Sequence, residues 1–169
     1  MPPLPAAPHE PEVHPAGRPC SSIRALVCQS DRVLNPHPSV ELVRSPRLTS
    51  RASYAYAAVA HAASRLIFTA GACPLDESGT IVDVDDVAGQ AERVMTNLRI
   101  ALQAAQADLP DVVKTTVYVA SQRREDLLTA WEVVRRHFGD HDAPSTLLGA
   151  AVLGYPDQLV EVEAIAALR

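Results

Sequence analysis

Two carboxylates near the end of the chain are the residues whose type and spacing best suit chemistry. Over residues 158–167 a period of two places Glu161 and Glu163 on one face of a strand, between Leu159 and Ile165. A partly desolvated carboxylate can take a proton from water as a general base, or it can accept backbone amides and hold subunits together. Both interpretations stay open for Glu161, whereas Glu163 is interpreted as structural.

The cysteines and histidines do not form the pattern of a metal site. Cys20, Cys28 and Cys73 are too widely spaced for a zinc site or a disulfide framework, so we expect reduced thiols in a cytoplasmic protein. Cys73 precedes Pro74 at a predicted strand end and is interpreted as a buried, unreactive thiol. The histidines that lack metal-ligand spacing are His61, His137 and His141.

The overall charge argues against nucleic acid as the main partner. The chain has 169 residues, a formal net charge of −5 and no basic stripe. No run approaches the ~20 apolar residues that a membrane-spanning helix needs, and no secretory signal is visible at the start. We therefore expect a cytoplasmic protein that does not act in a membrane.

Proline placement divides the chain into two parts. Ten of the fourteen prolines lie at or before Pro46, and each removes a backbone donor that a helix or a central strand needs. Residues 1–45 are therefore predicted to be a mostly irregular tail, and residues 46–169 to be the folded domain. One apolar island at residues 23–28 could form a short helix or strand that docks on the domain.

The folded part predicts five strands and two helices. Apolar residues at helical spacing predict a helix that starts at Asp85 or Asp86 and a second helix that ends at Gly139. The predicted order of the elements is strand, strand, helix, strand, helix, strand, strand. The strand-helix-strand connections imply crossovers, and the last two strands imply a closing hairpin. We expect an α+β fold, a mixed sheet with both helices packed on one face. The strands are predicted at residues 54–60, 65–72, 112–119, 146–153 and 158–167.

Three motifs, in this order and at this spacing, resemble the Rid/YjgF family of reactive-intermediate deaminases. Together they cover nearly all of residues 46–169. They are Phe68-Thr-Ala-Gly71 followed by Pro74-Leu75, residues 111–119, and residues 159–166, with Gln90 and Asn97-Leu98 between them.

The resemblance implies a chorismate-mutase-like fold assembled as a homotrimer. The sheets face inward, the helices face outward, and a ligand cleft lies at each subunit interface. It also implies hydrolysis, without a metal or an organic cofactor, of imines and enamines that pyridoxal-phosphate enzymes release. In the family an arginine pairs with the substrate carboxylate, a carboxylate near the chain end orients the attacking water, and a tyrosine and backbone groups position the ligand.

Placing the family site on this chain changes the expected substrate. The arginine position falls on Ser145, in the motif Ala143-Pro-Ser-Thr146, and Glu161 matches the water-orienting carboxylate. A serine hydroxyl offers one neutral hydrogen bond where a guanidinium offers a charged, bidentate contact. The difference is on the order of 1–3 kcal/mol, so the usual 2-imino acid is not expected.

The other ligand contacts that the resemblance implies also differ in part from the family. Ala70 stands where a serine is frequent, and Trp131 stands where the family has an asparagine. Trp131 is interpreted either as packing or as a cleft wall that selects an apolar ligand. Tyr56 is preferred to Tyr54 for the tyrosine. The full set of implied ligand-binding residues is Ser145, Thr146, Tyr56, Ala70, Gly71, Trp131 and Cys73.

Three functions follow as hypotheses. The first is a hydrolase of the imine or enamine deaminase type, acting in clefts between subunits on a small carbonyl derivative. The second is a metabolite-binding or regulatory trimer without turnover. The third and weakest is a ribonuclease, since the chain is acidic and has no basic patch.

Overall fold

Residues 40–169, which are the residues that the computed structural model describes, contain six strands and two helices. The expectations for residues 1–39, including Cys20 and Cys28, lie outside them. None of the helices in the described part is long and apolar enough to cross a membrane. The elements are β1 (Val40–Val43), β2 (Ala57–Ala60), β3 (Arg65–Phe68), α1 (Val87–Ala104), a 3₁₀ turn (Leu109–Asp111), β4 (Val112–Val119), α2 (Arg124–Phe138), β5 (Ser145–Gly149) and β6 (Val160–Leu168).

Strand β1 was not among the predicted elements, because the prolines around it favoured irregular chain. It pairs antiparallel with β2, so that Val40 lies opposite Ala60 and Val43 lies opposite Ala57. The two strands form a sheet of their own. A four-residue strand can stand close to prolines because its unpaired edge needs no backbone donors.

The main sheet has four strands in the order β3-β6-β4-β5. β6 is antiparallel to both β3 and β4, whereas β4 and β5 are parallel. The predicted closing hairpin is wrong, because β5 and β6 lie on opposite edges of β4 instead of pairing with each other. The reason is the α2 crossover, which returns β5 parallel to β4 on one edge and leaves the other edge free for β6.

The predicted helix ends are confirmed. Asp86 is the N-cap of α1, and its side chain accepts a hydrogen bond from the backbone N–H of Ala88 at 3.0 Å. Gly139 follows α2 with a φ of 58°, a left-handed conformation that glycine adopts without a Cβ clash. The start of α1 and the end of α2 are therefore determined by neighbouring residues that can be recognised in the sequence.

Both helices cover one face of the main sheet, so the α+β fold class is confirmed. Buried side chains of α1 meet the inward residues of β4 and β6, where Val117, Val119, Val160 and Val162 are fully buried. This core consists of small and β-branched residues, which suit a pleated surface. From α1 it includes Val94, Leu98 and Leu102.

The other face of the main sheet carries no helix, and we refer to it as the open face. Three large apolar side chains are exposed there: Leu66 at 56%, Phe68 at 70% and Leu148 at 45%. Polar groups lie among them. From β4, β5 and β6 the open face includes Lys114, Thr116, Tyr118, Thr146, Glu161, Glu163 and Ile165.

Candidate functional site

Glu161 lies half-buried on β6, with its carboxylate above the backbone of Gly71. One oxygen, Oε2, accepts a hydrogen bond from Gln158 Nε2 at 3.0 Å. A Cβ at position 71 would lie 1.7 Å from the other oxygen, Oε1. The carboxylate thus occupies the space that a side chain would fill, so this position requires glycine.

Gln158 holds the carboxylate in place although the sequence did not single it out. Its side chain is 3% exposed, and its Oε1 accepts the backbone N–H of Tyr155 at 3.0 Å. Its Nε2 also reaches the carbonyl of Val160 at 3.3 Å. An amide fixed at both ends makes a rigid donor to Glu161. The sequence contains one signal that could have identified Gln158, namely a glutamine three residues before the candidate base and just before the strand begins.

Gln90 of α1 anchors the loop that leads into β6. The side chain is fully buried. Its Nε2 donates to the carbonyl of Asp157 at 2.8 Å, and its Oε1 accepts the N–H of Leu159 at 2.7 Å. A buried amide with these partners replaces sheet hydrogen bonds that the loop lacks. The helix therefore fixes the approach to Glu161.

Asn97 anchors the segment on the other side of Glu161. Its Nδ2 donates to the carbonyls of Cys73 and Leu75 at 2.8 and 2.9 Å. Between these contacts and β3, Ala72 pairs with Val162 through hydrogen bonds of 2.8 and 3.2 Å. The helix α1 thus positions both chain segments between which the carboxylate lies.

Cys73 lies beside Glu161, and the pKa of its thiol is raised. Partial burial is the largest cause that raises the pKa of the thiol, and the negative charge of Glu161 raises it further. The Sγ atom lies 3.6 Å from the carbonyl oxygen of Gly71. A thiol with a raised pKa is a poor nucleophile, which supports its interpretation as unreactive.

Ala70, Gly71 and Cys73 also line an open groove of about 440 Å³. Ala101 of α1, the residue Ala105 that follows α1, and Tyr155 line it as well. Most of the lining is apolar, and Asn97 is the polar side chain that faces it besides the tyrosine hydroxyl and Thr69. The groove therefore suits a small, mainly apolar group, and it shares Gly71 and Cys73 with the surroundings of Glu161, whose own side chain does not line it.

Ser145 lies apart from Glu161 in the sheet. It is paired with Thr115, and its hydroxyl bonds to that of Thr115 on the helix-covered face. Glu161 is paired with Tyr118, three residues further along β4, which is roughly 10 Å. Within one chain the serine is thus turned away from the carboxylate.

Thr146 belongs to the open face but contacts a different charged group. Its Oγ1 accepts a hydrogen bond from Lys114 Nζ at 2.5 Å. Glu163 lies in the same row of the sheet as Thr146, since both are paired with Thr116. Its Oε1 accepts a hydrogen bond from the Tyr118 hydroxyl at 3.1 Å, and this contact raises the pKa of the tyrosine. Lys114 and Tyr118 were not among the predicted site residues, because strand alternation alone shows their face and not their partners.

Tyr56 and Trp131 form a third group. The Trp131 Nε1 donates to Ser53 Oγ at 3.2 Å, and its ring meets that of Tyr54 edge-on at 6.2 Å. Tyr54 in turn lies 6.3 Å from the Tyr56 ring, whose hydroxyl bonds to the carbonyl of Thr49. Within the chain this aromatic group is built from α2 and the segment before β2.

The predicted site residues therefore divide into three groups in the single chain. Only the first includes residues next to Glu161, namely Gly71 and Cys73, and Ala70 lines the same groove as these two. In residues 40–169 no cluster of three His, Cys, Asp or Glu side chains could hold a metal ion. The chemistry available at Glu161 is that of a carboxylate held above Gly71, a residue that also lines an apolar groove, in a small α+β protein.

The comparisons with known proteins identify the family. The model of the family described as Endoribonuclease L-PSP matches residues 45–168, so the chain belongs to that family. A RutC family protein of Pyrococcus abyssi is 39% identical over 101 residues, 59% of this chain and 76% of the relative. The 2-iminobutanoate/2-iminopropanoate deaminase of Salmonella typhimurium is 30% identical over 107 residues, 62% of this chain and 80% of the enzyme.

A solved structure supports the same conclusion for the fold. The crystal structure of a Rid-family protein of unknown function from Yersinia pestis superposes with a TM-score of 0.71 at 23% identity. The match covers 78% of this chain and 100% of that one. The predicted membership of the Rid/YjgF family and its α+β fold are thereby confirmed.

Proposed function

We propose that this protein is a hydrolase of the imine or enamine deaminase type, with Glu161 as the base that activates water. The observation that carries the proposal is the carboxylate of Glu161, which Gln158 holds through one oxygen above Gly71, a residue that also lines an apolar groove. The name of the Salmonella relative, an imine deaminase, supports the class of reaction.

The reaction that this geometry supports is addition of water to a C=N bond. Oε1 of Glu161 takes a proton from water as the water oxygen adds to the imine carbon, and it passes that proton to the nitrogen, which gives a neutral carbinolamine. Oε1 then takes the proton of the carbinolamine hydroxyl and delivers it to the amino nitrogen as the C–N bond breaks, so that ammonia leaves, a carbonyl compound forms and Glu161 is again a carboxylate. Since Gln158 binds Oε2, the Oε1 atom next to Gly71 is the one we assign to this proton transfer.

The substrate that we propose lacks the carboxylate of the usual 2-imino acids. Ser145 replaces the family arginine, and its hydroxyl is engaged with Thr115 on the helix-covered face. The groove that includes Gly71 is lined largely by alanines, and Tyr155 also lines it. A small imine or enamine with an uncharged, apolar carbon skeleton fits these surroundings best.

The site that we propose is completed between subunits of a homotrimer. Tyr56 and Trp131 lie away from Glu161 in the single chain, and the open face exposes Leu66, Phe68 and Leu148. An apolar sheet face without a covering layer is typical of an interface. A second chain on this face would bring an aromatic wall to the carboxylate. The cytoplasmic location stays a prediction.

The proposal is tested with Glu161→Gln in an assay that generates imines in place. An amine or amino-acid oxidase supplies imines of branched and aromatic amines and of several amino acids, and ammonia release is followed against buffer. We expect the parent to accelerate release, preferentially for the imines without a carboxylate. Glu161→Gln should lower the rate by about 100-fold or more, because the general base is lost.

Glu132→Gln is the matched control, since Glu132 is an exposed carboxylate on α2. It should keep the rate of the parent. Release no faster than in buffer for every imine would contradict the proposed hydrolysis.

A trimer that binds a metabolite without turnover is the second candidate. The engagement of Ser145 with Thr115 favours it, because the group that orients family substrates is missing here. A parent protein that binds the amine-derived ligands without releasing ammonia, with Glu161→Gln binding them equally well, would select this function instead.

A further inference from the structure

Tyr155 is the largest side chain of the groove that includes Gly71, and the core of the single chain does not use its ring. The residue is 47% exposed and does not belong to the buried core. It lies in the loop between β5 and β6 and lines the groove together with Gly71 and Cys73. A large aromatic ring left open in a groove is available to a ligand.

The backbone of Tyr155 is fixed although its ring is open. Its N–H donates to Gln158 Oε1 at 3.0 Å, and its carbonyl accepts the N–H of Gln158 at 3.3 Å. Pro156, the next residue, disfavours a helical backbone at Tyr155. The Gln158 amide also donates to Glu161 Oε2 at 3.0 Å. One buried side chain therefore fixes the tyrosine and the candidate base relative to each other.

Four alanines give much of the remaining groove a low, apolar surface. Ala70 and Ala72 follow β3, whereas Ala101 and Ala105 lie at the end of α1 and just after it. Because their methyl groups fill little space, a groove of about 440 Å³ stays open beside the tyrosine ring. A flat ring makes dispersion contacts over its whole face with small side chains and with another aromatic ring. A flat ring therefore fits this groove better than a branched chain does.

We propose that the substrate of this site is an imine with an aromatic carbon skeleton, and that Tyr155 is the residue that selects it. The substrate ring lies against Tyr155 in the groove, and the C=N carbon lies toward Gly71, above which the Glu161 carboxylate is held. This inference rests on the proposed hydrolysis and names its substrate class, the imines of arylalkyl amines without a carboxylate. Such imines form when primary amines of this kind are oxidised.

Calorimetric titration of the full chain with two stable ketones tests the selectivity for a flat ring without any turnover. The probes are 1-phenylpropan-2-one and 1-cyclohexylpropan-2-one, which resemble the carbonyl product and differ only in the ring. We expect the phenyl ketone to bind about fivefold more tightly, although the cyclohexyl ketone is the more hydrophobic. A groove that selects by hydrophobicity alone would give the opposite order.

Substitutions at two positions test the tyrosine and the alanine surface separately. Tyr155→Ala should weaken binding of the phenyl ketone about tenfold, and Tyr155→Phe, which keeps the ring, should restore it. Ala101→Leu should weaken binding to a similar extent, because the leucine side chain fills the groove. Ala104→Leu is the matched control, since Ala104 is also exposed on α1 but does not line the groove. It should bind the phenyl ketone like the parent.

Ammonia release extends the test to the proposed reaction. A flavin-dependent amine oxidase supplies the imines of 2-phenylethylamine and 2-cyclohexylethylamine in place. Tyr155→Ala should lower kcat/KM about tenfold for the phenyl substrate, mainly through a higher KM, and only about twofold for the cyclohexyl substrate. A tyrosine that serves only the fold would lower the rates of both substrates alike.

The outcomes separate this inference from the proposed hydrolysis. No binding of the phenyl ketone, equal affinity of the parent for both ketones, or parental affinity of both Tyr155→Ala and Ala101→Leu would overturn the role of Tyr155. Equal hydrolysis of the two imines, unaffected by Tyr155→Ala, would reject that role and leave the hydrolase in place. Binding of the phenyl ketone that depends on Tyr155, without ammonia release from either imine, would contradict the hydrolysis and retain the aromatic selectivity.

Discussion

At the scale of single residues, a glycine and a glutamine turn an ordinary strand carboxylate into a candidate base. Gly71 leaves the space that Glu161 occupies, and Gln158 fixes one of its oxygens. A glutamate with the same alternation, Glu163, bonds instead to Tyr118 and lies across from Lys114. Glu161 and Glu163 have the same functional group, so the residues that contact each carboxylate determine its role.

Gly71→Ala should displace the Glu161 carboxylate, because the new Cβ would lie 1.7 Å from Oε1. A displacement of about 1 Å of a catalytic group costs on the order of 100-fold in rate, so we expect such a loss of ammonia release. Gly154→Ala is the control, since its Cβ would meet only Gln158 Oε1, at 3.9 Å. Steady-state kinetics of the two variants make the comparison, and a parental rate for Gly71→Ala would contradict the assigned position.

At the scale of elements, α1 positions the site through buried amides. Gln90 holds the loop before β6, and Asn97 holds the segment after β3. Hydrophobic periodicity predicts on which face of the helix each side chain lies, but not the backbone groups to which it bonds. The apolar stripe was visible in the sequence, whereas a glutamine among its buried positions became apparent only from the partners that satisfy it.

Gln90→Leu should destabilise the fold, because the carbonyl of Asp157 and the N–H of Leu159 would lose their partner. A buried group left unsatisfied costs about 1–3 kcal/mol, so we expect a loss of at least that size in the free energy of unfolding. Urea denaturation followed by circular dichroism measures it. Gln122→Leu, at an exposed position before α2, should change the stability little. Equal stability of the two variants would show that the anchor is dispensable.

At the scale of the whole molecule, the two surfaces of the main sheet differ. One is covered by α1 and α2, whereas the open face exposes Phe68 and Leu66 at the edge of the sheet. Exposed apolar side chains grouped on one face are typical of an interface. The proposed trimer would cover them and complete the cleft at Glu161.

Phe68→Lys should dissociate the proposed trimer, because it places a charge in the apolar part of the open face. Sedimentation velocity should give three times the 18.1 kDa mass for the parent and a single-chain mass for the variant, with loss of ammonia release. Ile100→Lys, at a residue 59% exposed on α1, should leave both unchanged. A parent that sediments as a single chain at micromolar concentration would contradict the intersubunit cleft.

The sequence by itself determined the fold class, the helix ends at Asp86 and Gly139, and the alternation that puts Glu161 and Glu163 on one face. These features depend on residues near each other in the chain, where periodicity and capping act. Only the tertiary structure decided that β6 lies between β3 and β4 and that Gln90 is buried. It also decided that Ser145 faces Thr115 while Thr146 meets Lys114. Such pairings join residues distant in the chain, and their partners follow from the register of the sheet and the packing of α1 on it.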